Sequence, residues 1–170
     1  MTRDRDPSGR PRNARPRDAL GRPLDRVAGA EAASAGLPDD LELPAPEAAR
    51  LADRLLRAGR PFHAHEVLEA SWKSGPDDER DLWQGLAQVA VGLTHAHRGN
   101  ARGAVALLNR GAQRVRAYRS RPEPGRDQPY GIDIAGVLAA ADDLAARIER
   151  DGLADIPPAD LRPGLLAAGR

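Results

Sequence analysis

Apolar residues recur along this chain at helical spacing, in blocks set off by glycine and proline. After Pro46, the residues Ala48, Leu51, Ala52 and Leu55 stand at i, i+3, i+4 and i+7, and Gly59 ends the pattern. Pro61 suits the first turn of a second helix that runs to about Ser74, before Gly75 and Pro76. The short turn between these two predicts an antiparallel hairpin. A third helix is expected from Asp77 or Asp78, whose acids suit a helix N-terminus, to Gly99. Asn100 can cap a fourth, running to about Tyr118, beyond which Pro122 and Pro124 forbid continuation. Asp133 can cap a fifth, where Ile134, Val137, Leu138, Ala141, Leu144, Ala145 and Ile148 form one stripe closed by Gly152. The pattern predicts an all-α fold, a compact bundle of about five helices. Residues 82–97 carry no Asp, Glu, Lys or Arg, so the third helix is expected at the centre.

Composition agrees with helices. The 170 residues include 32 Ala and 20 Leu against 13 Val, Ile and Thr together and five aromatics, a poor supply for a sheet. The body is predicted to span residues 45–152. Residues 1–44 hold six of the 15 prolines and few large apolar side chains, and read as a disordered Arg/Pro-rich arm. Residues 153–170, with Pro157, Pro158 and Pro163, read as a loosely ordered tail. The formal charge is +1, from 26 basic and 25 acidic residues, which argues against a uniformly basic nucleic-acid binder. Within residues 1–26 eight Arg face four Asp, a local +4 in which the interleaved acids work against phosphate contact. No run of 18 apolar residues predicts a membrane span, and the Arg-rich start lacks the apolar stretch of a secretory signal, so a cytoplasmic protein is expected. The absence of Cys excludes disulfides, thiolate metal sites and a cysteine nucleophile.

Candidate chemistry lies where polar residues interrupt apolar faces. With Phe62 taken as the origin of the second helix, His65, Glu69 and Trp72 fall within about 80° of it, with Glu66 on the rim and His63 pointing away. A carboxylate in that sector needs a partner, and His65 is the nearest to Glu69. On the third helix Leu82, Leu86, Val89 and Leu93 share one face. Gln84, Gln88 and His95 cluster opposite, beside Gly85 and Gly92, which leave room for another backbone. This second face is uncharged, and we read it as covered. The constellation is therefore His65, Glu66 and Glu69 facing Gln84, Gln88 and His95, either as a structural network or as a binding site.

Residues 56–72, LRAGRPFHAHEVLEASW, carry a motif that resembles the family catalogued as domain of unknown function 309, small helical proteins of bacteria and archaea. Ala64, His65, Glu66, Val67, Leu68, Glu69 and Trp72 match it. Gln84, Gly85, Gln88, His95, Gly99, Asn100, Gly103 and Ala104 match its QG-x-x-Q helix and the GN and GA that follow. Tyr130, Gly131, Ile132 and Asp133 are similar to the segment that opens its last helix. The resemblance covers about residues 46–150. It implies a helical bundle in a family without an established activity, and it supplies no catalytic residue.

Two functional classes follow. The first is a non-enzymatic module that binds a small molecule or a protein partner through His65, Glu66, Glu69, Trp72, Gln84, Gln88 and His95, with Trp72 and Trp83 as its apolar wall. The alternative is a metal-dependent hydrolase. There His65 and Glu69, at i and i+4 in His65-Glu66-x-x-Glu69, would hold one ion with His95 as third ligand and Glu66 as base. Neither class names a cofactor, and a homo-oligomer stays open.

Overall fold

The computed structural model describes Asp18, residues 20–22 and residues 41–167, and within these it contains five α-helices and no strand. They are α1 (Ala45–Arg57), α2 (Pro61–Ser74), α3 (Arg80–His97), α4 (Ala101–Arg119) and α5 (Ile134–Asp151). Short 3-10 turns occur at Asp77–Glu79, Pro129–Gly131 and Pro158–Leu161. The expected arm, residues 1–44, lies almost wholly outside the described residues.

Local signals set the helix ends. The Oδ1 atoms of Asn100 and Asp133 accept the amides of Gly103 and Gly136, each at 2.9 Å, which caps α4 and α5. Gly152, at φ 81, terminates α5 in a conformation that L side chains avoid. Each helix packs on its neighbour in sequence, so α3 lies between α2 and α4. Leu82, Trp83, Leu86, Ala90 and Leu93 of α3 are all 1% exposed or less, which makes the uncharged helix the centre of the core.

Two small-residue positions fix the closest helix contact. A Cβ on Gly85 would stand 2.9 Å from the Gly111 carbonyl oxygen and 2.7 Å from Val115 Cγ2. One on Gly92 would stand 3.0 Å from the Leu108 nitrogen. As α3 ascends from residue 85 to 92, the α4 residues it meets descend from 115 to 108, so the pair is antiparallel at backbone distance. Gly85 and Gly92 thus accept another backbone as expected, but that backbone is α4's. They leave no open space beside the glutamines.

The segment expected to be a loose tail is docked. Leu165 is 2% exposed and sits among Leu56 of α1, Val89 and Leu93 of α3, Leu108 of α4 and Leu144 of α5. Asp53 Oδ1 accepts the Leu165 amide at 2.6 Å and the Leu166 amide at 3.0 Å, while Oδ2 accepts Arg57 Nε at 2.9 Å. Arg147 pairs with Asp160 at 2.8 Å, and His97 Nε2 meets the Leu161 carbonyl at 3.2 Å. Pro157 and Pro158, read as looseness, instead open the 3-10 turn at Pro158–Leu161, and single anchors there and at Leu165 fix the segment.

A second polar knot ties the α4–α5 connection to the start of α3. Glu79 accepts Trp83 Nε1 at 2.9 Å and also the Tyr130 hydroxyl, and the Trp83 and Tyr130 rings stack at 5.8 Å. Nearby, the guanidinium of buried Arg126 lies 4.4 Å from the Tyr118 ring centroid and bonds Glu123 at 2.8 Å.

Candidate functional site

Where α2 and α3 part, they leave a cleft of about 220 Å³. His65, Glu69 and Trp72 line the α2 wall at i, i+4 and i+7. Gln84, Ala87, Gln88 and Val91 line the α3 wall at i, i+3, i+4 and i+7. Arg114 of α4 joins at the level of Gln84, because α3 and α4 touch at Gly85 and Val115. Five of the seven expected site residues, His65, Glu69, Trp72, Gln84 and Gln88, are therefore brought together.

The other two are not. Glu66 is half-buried but does not line the cleft. His95 lies eleven residues beyond Gln84, roughly 16 Å along the axis at 1.5 Å per residue. Its Nδ1 accepts Asn100 Nδ2 at 2.8 Å, so the ring belongs to the α3–α4 turn. His95 shares the angle of the cleft residues but stands one turn beyond Val91, where the α3 wall ends, and its ring is held by Asn100. Among the described residues no group of three His, Asp or Glu side chains could hold a metal ion, so the His65, Glu69 and His95 set is not assembled.

Three further expectations change. Trp83 is 1% exposed and turned to Glu79 and Tyr130, which leaves Trp72 as the aromatic wall. His63, read as facing away, is 2% exposed. It stands edge-on to Phe62 at 5.7 Å, and a turn built by Asp18 and residues 20–22 seats Gly21 on the Phe62 ring. Glu69, read as buried, keeps 35% of its side-chain exposure because the walls have separated there. Arg114 was missed. Its only signal was its place three residues after Gly111, at the edge of the small-residue face that meets α3.

Charges at the rim are already matched. Glu69 Oε1 holds Lys73 Nζ at 2.8 Å, and Oε2 lies 3.5 Å from His65 Nε2. Arg114 Nη1 meets Asp81 Oδ1 at 3.1 Å, and Arg121 takes the other oxygen at 2.8 Å. Burial pushes the His65 imidazole below its ordinary range; Glu69 opposes the shift and Lys73 adds to it. A neutral ring that keeps its proton on Nε2, the side facing Glu69, leaves the Nδ1 lone pair over. Nδ1 is buried without a partner, and so is Gln88 Oε1. Neither Gln84 nor Gln88 makes a side-chain hydrogen bond among the described residues. Such a cleft can accept hydrogen bonds, stack a flat group on Trp72 and enclose something small.

The described residues thus form an all-helical bundle with a polar cleft between its second and third helices. Residues 50–107 match the model of the family described as Domain of unknown function (DUF309), as the motifs around His65 and Gln84 led us to expect. That span contains all five cleft residues of α2 and α3 foreseen from sequence; Arg114 and the Tyr130–Asp133 motif lie beyond it. The "Uncharacterized protein YpuF" of Bacillus subtilis (strain 168) is 37% identical over 89 residues, 52% of this chain. The chain spans about half the length of that curated relative, 48%. No solved structure matches the chain at a significant level. No helix among the described residues is long and apolar enough to cross a membrane.

Proposed function

We propose that the chain is a helical binding module whose cleft between α2 and α3 receives a small molecule or a single side chain of a protein partner. The observation that supports this is the pair of glutamines. Buried polar groups in bundles ordinarily satisfy one another, yet Gln88 Oε1 is buried in the cleft wall without a partner, and half-buried Gln84 one turn away makes no side-chain hydrogen bond to the described residues. Polar groups left in this state beside an aromatic wall are what an enclosed ligand uses for orientation. The cleft is smaller than the several hundred Å³ of a drug-sized site, which fits a fragment-sized group.

Native mass spectrometry of the untagged full chain, together with side-chain amide NMR during a fragment screen, tests the reading. A bound organic species, or fragment-induced shifts confined to His65, Gln84 and Gln88 and lost in Trp72→Ala, is the expected result. Ligand-free protein whose cleft resonances no fragment moves would overturn it.

A further inference from the structure

The cleft's unmet hydrogen bonds have a sign. His65 Nδ1 and Gln88 Oε1, one on each wall, are both buried and both without a partner. Gln88 Oε1 is an acceptor by its chemistry. His65 Nδ1 is an acceptor because the Glu69 carboxylate, facing Nε2 at 3.5 Å, draws the ring's single proton to that side. An unpaired buried acceptor carries its full desolvation cost until a donor arrives. Both residues line the cleft, so each acceptor lies in a wall of it, beside the space between the helices.

Charge points the same way. Glu69 is matched by Lys73, and Arg114 shares Asp81 with Arg121, so each charged side chain lining the cleft already has an ion-pair partner in the protein. A carboxylate or phosphate would add acceptors to a cleft whose two buried unpaired atoms are acceptors already, and only the less buried amide nitrogens of Gln84 and Gln88 could meet it. Lys73 Nζ, 6.0 Å from the Trp72 ring centroid and 2.8 Å from Glu69, shows that this rim accommodates a nitrogen donor beside the aromatic face. Trp72 offers a flat wall, and Ala87 opposite it occupies little room.

We infer that the group entering this cleft is a planar nitrogen group with N–H donors along one edge, such as an amidine, a guanidine or an amino-substituted heterocycle. The donors reach His65 Nδ1 and Gln88 Oε1 while the plane stacks on Trp72. This inference rests on the cleft being a binding site, and it adds the class of ligand.

Benzamidine and benzoate separate the two claims, since they share a ring and differ in whether the head group donates or accepts. With the full chain, benzamidine is expected to shift the Gln84 and Gln88 side-chain amide resonances and to bind at least tenfold more tightly than benzoate by calorimetry. Gln88→Met, which removes the acceptor at similar volume, is expected to weaken benzamidine at least tenfold without lowering the melting temperature, because it also removes an unpaired buried oxygen. If Gln88→Met unfolds, competition of benzamidine against benzoate on the unaltered chain still decides. Benzoate binding as well as benzamidine would overturn the donor assignment while leaving the cleft a site; no shift with either, or with 2-aminopurine, would overturn both. Agmatine against a blocked Gly-Arg-Gly peptide then distinguishes a diffusible ligand from a protein side chain. Tighter binding of either one upholds the donor edge, and binding of neither, with benzamidine also silent, sinks it.

Discussion

Asp53 is the most informative single position to perturb, because one buried carboxylate holds the C-terminal segment to the bundle. Its Oδ1 accepts two backbone amides, those of Leu165 at 2.6 Å and Leu166 at 3.0 Å, and the residue is 7% exposed. Asp53→Ala leaves both amides without a partner, at about 1–3 kcal/mol for each buried one. The Arg57 pair adds little, since that side chain is 53% exposed and regains water. Together the loss comes to about 3–4 kcal/mol, or roughly 6–16 °C of melting temperature for a chain of this size. Asp53→Asn keeps one acceptor oxygen and is expected to lose about half as much. The chain can escape the cost by releasing residues 160–167, so hydrogen exchange at Leu165 and Leu166 should rise even if the midpoint falls by less. Urea unfolding followed by circular dichroism, with exchange measured in parallel, reads both. An Asp53→Ala chain within 0.5 kcal/mol of the parent, its Leu165 amide still protected, would refute the assignment of Asp53 as the anchor. The pH dependence carries a sign as well. Burial alone would raise the Asp53 carboxyl, but hydrogen bonds from Arg57, Leu166 and Leu165 outweigh it and hold the group below its ordinary 3.8. The docked segment therefore keeps its full anchor above that value and loses it as pH falls through the lower, folded one.

Three further outcomes follow from the same geometry. Gly85→Ala sets a Cβ 2.9 Å from the Gly111 carbonyl oxygen and should destabilise by about 2 kcal/mol or more despite alanine's better helix propensity; a gain in the urea midpoint would contradict the α3–α4 contact. Glu69→Ala removes a half-exposed carboxylate and should cost under about 1 kcal/mol, so a loss of several kcal/mol would mean that the cleft is closed. His63 is held below its ordinary 6.5 by burial and by Arg60, with Asp18 opposing. Its contribution is complete above that value and lost as pH falls beneath it, so replacing His63 by Gln should flatten the decline of stability as pH falls below 6.5; an unchanged slope would show that His63 is not enclosed.

The helices were legible because their ends are written in residues that act locally: Asn100 and Asp133 as caps, Pro61 in a first turn, Gly152 as a stop. The cleft was half legible for the same reason. Helical projection reports angle, and His65, Glu69, Trp72, Gln84 and Gln88 share angles and also lie within two turns of one another on each helix. His95 shares the angle but not the height, and its true partner, Asn100, depends on how the chain turns after α3. His63 is misread on projection because its end of α2 is approached by Asp18 and by Gly21, which sits on the Phe62 ring beside it, from a stretch without apolar period. The docking of Leu165 was hidden in a similar way. Its anchor is a single acid on α1, more than a hundred residues distant, and an Asp inside an amphipathic helix looks like solvent-facing charge until its partner amides are seen.

The glycine contact between α3 and α4 also decides which wall of the cleft can yield. With backbones meeting at Gly85 and Gly111, and again near Gly92 and Leu108, these two helices form a stiff slab, and little side-chain padding remains between them to compress. The opposite wall, α2, meets α3 through a less extensive contact and is joined to it by Gly75 and Pro76. Any widening of the cleft is thus a displacement of α2, carrying α1 with it, against a fixed abutment. Because Asp53 on α1 grips the C-terminal segment, that displacement also pulls on Leu165. The α2 wall of the cleft is in this way joined, through α1 and Asp53, to the seat of Leu165.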